Sequence, residues 1–402
     1  MENDDNRRVV IVIGAGPAGL AASIGLAQIP GYSVELIEKR TTFEKRGASF
    51  GLAKNGLKAL SEICSGESYE VVNQLKEGGV STPNGGLLLP WWEMRDTLLE
   101  GARKEQSNIT IRMGMDICSI EDEKDDSQVT VRFSNSDVVL RGTMLIAADG
   151  VHSSVRGLMN LPPSVKTGST VFRGHINALA PDSKLVELLD RGMVPLGGKT
   201  YDGTHIFALN YHPKRPGLVT WVVGTSKPVI YGKTTVRTLL ENQVEDAEEW
   251  KIIQSLFDES EEEMVTTPST ETRVVDFSDE YFSSLDDDGG WGGSGRLTLI
   301  GDAAHAMRPT DGQGGNQAFE DVAVLCRTLR GALTSDGDEL VPPSKMDDWQ
   351  TCSEVLKKFE STRLDRVRRI HDDQRMRYEG RMRGEKVGPW SDEFRDWVLQ
   401  GV

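Results

Sequence analysis

Cysteine is scarce in this sequence: four residues in 402, Cys64, Cys118, Cys326 and Cys352, far apart and without C-x-x-C or paired Cys/His spacing. Neither a disulfide framework nor a zinc site organises such a chain. Apolar runs are short too, and none approaches the roughly 18 to 20 residues that a membrane-spanning helix requires. No integral membrane segment is therefore expected. The polar opening "MENDDNRR" lacks the apolar core of a secretory signal, which makes a reducing cytoplasm the expected location. Basic residues are outnumbered, 46 Lys and Arg against 62 Asp and Glu, for a formal net charge of -16. That balance argues against nucleic acid, whose phosphates demand clustered cations. The one dense basic run, "RLDRVRRIHDDQRMRYEGRMR" at 363–383, is interrupted by acids and reads as a solvated, ion-paired helix face.

What the chain does have is length for one large or two medium domains, and a recognisable order of elements. Residues 9–13, "VVIVI", form an uninterrupted apolar run ending in glycines, as expected of a parallel strand covered on both faces. "AGLAASIGLAQI" then reads as a helix and "GYSVELIEK" as the next strand, a Rossmann-like unit of about 30 residues. "WWEMRDTLLEGARK" is helical by its apolar spacing, and the stretch to Gly150 alternates strands and polar turns, with "EDEKDDSQ" as a solvated hairpin tip. From about Lys166 to Val275 strand periodicity dominates, with a helical insert near residues 235–257. "SLDDDGGWGGSG" is a Gly/Asp loop, "RLTLIGD" returns to a buried strand, and helices follow. The expected fold is α/β: a Rossmann-like domain built from 1–75, 91–165 and 285–402 with C-terminal helices, carrying an inserted mixed β-sheet domain built from 76–90 and 166–284.

"GAGPAG", Gly14 to Gly19, has the G-x-G-x-x-G pattern directly after a strand and at a helix start. Gly14 permits the tight turn, Gly16 lets backbone N–H groups approach a pyrophosphate, Gly19 allows close packing, and Ala15, Pro17 and Ala18 complete the turn. Glu38, at the end of the second strand, is placed to accept hydrogen bonds from a ribose diol, which favours FAD or NAD over NADP. Lys39 and Arg40 beside it, and Arg46 further on, are candidate contacts to adenine and phosphate.

Two further stretches, "LIAADGVHSSVR" at 145–156 and "IGDAAHAMRP" at 300–309, each end an apolar strand in Asp. Together with "GAGPAG" and in the same order, they resemble the three fingerprints of single-component flavoprotein monooxygenases, the family of para-hydroxybenzoate and salicylate hydroxylases, urate hydroxylases and zeaxanthin epoxidases. The resemblance runs from about Val9 to Arg369. It implies that Gly301 and Asp302 hold the ribityl chain of a tightly bound FAD, and that Pro309 to Asn316 curls beside the isoalloxazine ring. Gly312, Gly314 and Gly315 let backbone N–H groups face a flat ligand, and the following helix aims its positive end at the ring. Asp149, Gly150 and Arg156 match the middle fingerprint, credited with pyrophosphate organisation and nicotinamide access; His305 reads as structural. Many relatives begin the helix of residues 91–102 with an arginine that reaches the phosphates. Here Trp91 stands in its place, and Arg95 lies one turn later on the same face.

No second G-x-G-x-x-G occurs in a strand-to-helix context, so NAD(P)H is expected as a transient co-substrate. The resemblance implies an NAD(P)H-dependent monooxygenase of secondary metabolism, monomer or homodimer, that uses O2 to hydroxylate or epoxidise a small phenolic, indole or terpenoid-like molecule through a C4a-hydroperoxyflavin. The cofactor carries the hard chemistry. Substrate contacts are expected from the inserted sheet, with Arg173, His175, His205, Asn210, Tyr211 and His212 as polar candidates; alternation puts Asn210 and His212 opposite His205 and Tyr211. Two other classes stay open at this point: a flavin-dependent reductase or dehydrogenase without oxygen insertion, and a non-catalytic flavin-binding redox sensor. A flavin halogenase is disfavoured, because no W-x-W-x-I-P segment is present.

Overall fold

The computed structural model describes residues 7–402 apart from 46–48, 184, 187–192, 197–204, 211–214, 226–234, 242–243, 245, 267–269, 286–289, 335–342 and 389. Five strands lie side by side, all parallel, in the order Leu297–Leu299, Met144–Ala147, Arg8–Ile13, Tyr32–Glu38, Ile109–Met113. Val10 to Val12 and Met144 to Ala147 are fully buried, as central strands of a sheet covered on both faces, whereas the edge strand Ile109–Met113 is partly exposed. The helix Pro17–Ala27 packs against both Trp91–Lys104 and Gly314–Ala332. Close approach is essential there: a Cβ on Gly25 would lie 2.7 Å from Cys326 Sγ. Because the strands run parallel, the turns after Ile13, Glu38, Ala147 and Leu299 all emerge at one edge of the sheet. That edge carries all three fingerprints.

A second five-stranded sheet has the order Met193–Leu196, His205–Asn210, Val219–Thr225, Val165–Ile176, Thr270–Val274. Its described pairings are all antiparallel, where a mixed sheet was expected: Thr270–Val274, which returns after the helices of this region, adds beside Val165–Ile176 rather than beside Val219–Thr225, and runs antiparallel to it. Phe172, Ile176, Val219, Trp221 and Val223 point to one face, against Val236, Leu240, Ile253, Leu256 and Phe257 of the helices Val236–Leu240 and Ala247–Asp258. Gly174 is required by that packing, since a Cβ would lie 2.3 Å from the Trp221 ring. The opposite face, with Val171, Arg173 and His175, is left to meet the FAD-fingerprint edge. Two smaller antiparallel sheets complete the sheet structure: Ser49–Leu52 with Leu87–Pro90 and Val80–Ser81, and Ile117–Glu121 with Val129–Phe133 and Ser136–Gly142.

The acidic hairpin tip is solvated as expected, with residues 123–128 exposed, but single residues of three polar segments turn inward. Asp122, at the acidic hairpin tip, accepts from Arg296 N at 2.8 Å and Trp349 Nε1 at 3.2 Å. In the Gly/Asp loop Trp291 is fully buried, and its N–H donates to Glu360 at 2.9 Å. The basic run lies on the 34-residue helix Trp349–Met382, but Arg363, Arg366 and Arg377 are buried rather than solvated. The reason is a pair of acids on the facing helix Gly314–Ala332. Arg363 Nη1 and Arg366 Nε reach Glu320 at 2.9 and 2.6 Å, and Arg363 Nε reaches Asp321 at 2.9 Å. Asn55 Nδ2 donates to Glu320 at 2.6 Å, so the helix Lys54–Ile63 joins the same network. The short C-terminal helix Asp392–Gln400 closes over it, with Val398 O accepting from Arg366 at 2.6 Å.

His371, on the same long helix, is packed 4.8 Å from the Phe277 ring and donates to His305 O at 3.0 Å. Burial drives its pKa from 6.5 to about 4, outweighing the favourable backbone hydrogen bond. The unfolded chain therefore binds a proton that the folded chain refuses between about pH 6.5 and 4, and stability falls as pH drops through that window, by at most about 3 kcal/mol. In thermal melts taken from pH 7 to 4, His371→Gln, which keeps a donor, flattens the decline of Tm relative to the unsubstituted protein.

Candidate functional site

The three glycines of the first fingerprint are required for three different reasons. Gly14 adopts φ +102°, and a Cβ there would sit 2.5 Å from Ala148 O; a Cβ on Gly19 would sit 1.9 Å from Gly14 O. Around Gly16, by contrast, no atom lies within 4 Å of the Cβ position. The turn is packed on both sides and open in the middle, where a pyrophosphate would lie. Pro17 starts the helix, and no side chain caps its first turn, leaving N–H groups to face an anion. Glu38 is buried and shapes the turn from beneath: its carboxylate accepts from Ala15 N and Arg40 N, each at 2.9 Å. Lys39 and Arg40 are exposed at the same rim, while Arg46 lies outside the described residues. Arg95 is buried, its guanidinium bonded to Asp96 at 2.6 and 2.8 Å and to Glu44 O at 3.0 Å, and stacked over the Phe43 ring at 4.7 Å. Its fork is thus turned to its neighbours, and Trp91 lies on its flank.

In the middle fingerprint, Asp149 Oδ2 accepts from Ser154 N at 2.7 Å and Val155 N at 3.1 Å, capping the helix Ser154–Leu158. Its Oδ1 is buried and accepts no hydrogen bond among the described residues. Desolvation raises the Asp149 pKa against the pull of the Ser153 hydroxyl and of those N–H groups. An acceptor so placed calls for a donor from a ligand. Gly150, at φ +81°, has open space about it. Arg156 serves differently: its guanidinium donates to Pro162 O at 2.5 Å, Ala303 O at 3.0 Å and Tyr281 Oη at 3.2 Å. It ties the middle fingerprint to the helix Asp302–His305 from inside the protein.

Gly301 takes φ +58° and donates to Asp321 Oδ2 at 2.9 Å; the same oxygen holds His305 Nε2 at 2.6 Å. His305 is fully buried and braces the turn. Burial works against ionisation of Asp321, but His305 and Arg363 outweigh it and hold its pKa below the ordinary range. Asp302 next to it is exposed to solvent. Desolvation pushes its carboxyl upward, opposed by His305 and Arg173; while water reaches the group that push is weakened.

The chain then turns through Pro309–Asp311 and Gly312, left-handed at φ +62°, into the helix Gly314–Ala332, whose first turn again has no side-chain cap. A Cβ on Gly315 would fall 2.4 Å from the Phe50 ring, whereas Gly314 looks onto Asp302 Oδ1 and Met307 at ordinary contact distances. The Asn316 side chain is spent on the scaffold: Oδ1 accepts from Ala53 N at 2.9 Å, and Nδ2 donates to Gly51 O at 2.9 Å and Gly312 O at 2.7 Å. That leaves its backbone, with those of Gly314 and Gly315, as the part that can meet a ring.

Of the sheet candidates, Arg173 lies closest to this chemistry. It is enclosed, its pKa lowered by desolvation and opposed by the charge of Asp302. His175, two residues on and on the same face, packs 5.0 Å from the Trp92 ring, and burial lowers its pKa. Ser49 and Thr220, with hydroxyls 2.6 Å apart, pin this face to the strand Ser49–Leu52. Register pairs His205 with Gly224, on the Arg173 side, and Asn210 with Val219, on the side of the helices. Tyr211 and His212 lie outside the described residues. Trp92 and Phe50 escaped sequence reading; the doublet "PWWEM" is the only local signal, because their partners are more than 80 residues away.

Residues 7–341 match the model of the FAD binding domain family. The FAD-dependent monooxygenase cle3 of Aspergillus versicolor is 27% identical over 392 residues, covering 90% of this chain and 74% of its own. The 2-heptyl-3-hydroxy-4(1H)-quinolone synthase of Pseudomonas aeruginosa is 28% identical over 343 residues, 79% of this chain and 80% of its own. Among solved structures, FqzB superposes with a TM-score of 0.68 at 21% identity, over 93% of this chain and 84% of that one. Klebsiella pneumoniae HpxO complexed with FAD and uric acid gives 0.64 at 20% identity, over 92% and 87%. Those structures share the fold: a parallel core with added antiparallel sheets. The open space at Gly16, the orphaned Asp149 Oδ1 and the uncapped helix starts fit the group that the family is named for. The chain belongs to the FAD binding domain family and is a single-component FAD-dependent monooxygenase.

Proposed function

We propose that the enzyme inserts one atom of O2 into a small aromatic or heteroaromatic molecule held between the Arg173 face of the inserted sheet and the loop Pro309 to Asn316. The observation that supports this reading is geometric: the Ser49 and Thr220 hydroxyls, 2.6 Å apart, tie the Arg173 face of the sheet to the strand Ser49–Leu52, whose Phe50 ring lies against Gly315 of the loop, and the Asp302 carboxylate opposes the lowering of the Arg173 pKa. On this reading residues 1–75, 91–165 and 285–402 form the FAD-binding part, and 76–90 with 166–284 the substrate part. FAD, reduced by NAD(P)H, supplies the oxygen chemistry. The chain's own residues do the rest: Gly14 to Gly19, Glu38, Asp149 and Asp302 bind and orient, Gly314 to Asn316 present backbone N–H groups to the ring, and the sheet excludes water.

Arg173 and the Trp92–His175 pair would give the pocket one cation and one aromatic wall, suited to a flat molecule bearing a carboxylate or phenolate. Names among the relatives point the same way: a 3-amino-4-hydroxybenzoate 2-monooxygenase in Streptomyces platensis, the quinolone synthase, and HpxO with uric acid. Asn210 is the weakest of the six polar candidates, because it pairs in register with Val219, a residue of the helix-covered core. One nucleotide fingerprint, assigned to FAD, supports a transient NAD(P)H. Four free cysteines, three of them buried, support a reducing compartment, the cytoplasm. Among the described residues no helix is long and apolar enough to cross a membrane.

Three outcomes are expected. With purified FAD-loaded protein and a panel of phenolic acids, quinolones, indoles and terpenoids, one class stimulates NADH or NADPH oxidation and yields product carrying 18O from 18O2; stimulated oxidation without label would instead mean a reductase. Glu38→Gln weakens FAD binding about ten- to a hundredfold in fluorescence titrations, the worth of one charge-assisted hydrogen bond. Arg173→Gln raises KM for an anionic substrate at least tenfold with FAD affinity unchanged; equal loss for neutral and anionic substrates would refute charge recognition.

A further inference from the structure

The segment 305–311 is gripped from one side by a single helical face. His371, Gln374, Arg377 and Tyr378 of the helix Trp349–Met382 are spaced i, i+3, i+6 and i+7, which aligns them. His371 Nε2 donates to His305 O at 3.0 Å. Gln374 satisfies both backbone groups of Arg308: its Oε1 accepts from Arg308 N at 3.1 Å and its Nε2 donates to Arg308 O at 3.2 Å. The same Nε2 donates to Asp311 Oδ2 at 3.0 Å, and Arg377 Nη2 meets that oxygen at 2.6 Å. Arg308 lies 3.5 Å over the Tyr378 ring. Both partners of the Asp311–Arg377 pair are largely buried, with side chains 11% and 7% exposed. Arg377 is itself fixed by Asp373 at 2.7 Å, which accepts from Trp390 Nε1 at 2.8 Å.

We propose that this face is a clamp on the flavin loop, with Gln374 and Arg377 as positioning residues that act on the bound flavin through Asp311. The proposal rests on the reading that residues 309–316 lie against the flavin ring. Asp311 immediately precedes the left-handed Gly312, where the chain turns into the uncapped helix start. Arg377 fixes the turn and cancels a carboxylate beside a ring that must accept electrons. Without Arg377 the Asp311 charge opposes the negative charge of reduced flavin; without Asp311 that negative charge is gone while Arg377 stays paired with Asp373, and the reduced form is favoured. Outside the clamp, the helix that follows contributes its own positive end.

The test uses full-length, FAD-loaded protein with Arg377→Gln, Asp311→Asn and the double substitution, poised against a redox dye, alongside visible spectra and Tm. At fixed poise Arg377→Gln is expected to lower the ratio of reduced to oxidised flavin about two- to fivefold, the scale of a charge at a helix terminus. Asp311→Asn shifts it the opposite way, and the double substitution returns it toward the unsubstituted value although Tm stays lower. Lowered Tm with an unmoved ratio and spectrum in both single variants would reduce the clamp to a structural brace and overturn the proposal. Should Arg377→Gln fail to fold, the upward shift in Asp311→Asn decides alone. Gly314→Ala, which places a methyl at the helix start, separates the premise: if it changes FAD affinity and spectrum while the charge variants do not, only the clamp fails. If it changes neither, the reading of the loop fails.

Discussion

Two guanidinium groups and two carboxylates, enclosed where water cannot reach, hold the cofactor edge of this enzyme in place. Glu320 and Asp321 are adjacent on one helix, Arg363 and Arg366 one turn apart on another, and each carboxylate is satisfied by more than one donor. A buried network of this kind is costly to desolvate and gives little net stability over an apolar core, but removing one member leaves an uncompensated buried charge. Its value here is placement. Asp321 holds both Gly301 N and His305, so the third fingerprint is anchored to a C-terminal helix.

The opposite anchor is the parallel sheet. Its five strands deliver four turns to one edge, and glycines at Gly14 and Gly19 let the turns pack against each other without a gap. At Gly16, at Asp149 Oδ1 and at the helix starts, backbone or acceptor groups are left for a ligand. The inserted sheet then meets this edge with its polar face. One strand, Val165–Ile176, serves both sides: Phe172 and Ile176 join the helical core while Arg173 and His175 look toward the cofactor edge.

Much of the arrangement was legible in the chain itself. The apolar runs at 9–13 and 145–147 announced buried strands, the spacing of glycines and the acid in the first strand-to-helix turn announced a nucleotide because it is a local property, and the resemblance of three ordered fingerprints implied that the nucleotide is FAD. Charge was harder to read. The run at 363–383 carries enough acids to look solvated, and no helix-spacing rule shows that its arginines face Glu320 and Asp321, over 40 residues away. Arg156 and Asn316 sit within fingerprints, yet their side chains are taken by carbonyls and amides of the scaffold. Sequence position shows which residues approach a site, not which atoms are already engaged.

What the sequence determined alone was the order of elements and the nucleotide turn, which depend on interactions within about 30 residues, and, through the resemblance of three fingerprints spread along the chain, the cofactor. Only the tertiary structure decided which face of the inserted sheet packs on helices and which, with Arg173 and His175, is turned to the strand Ser49–Leu52. Alternation assigns residues to two faces but does not say which is covered. That choice belongs to the helices of residues 236–258, whose apolar side chains bury the Trp221 face and leave the other to the cofactor edge.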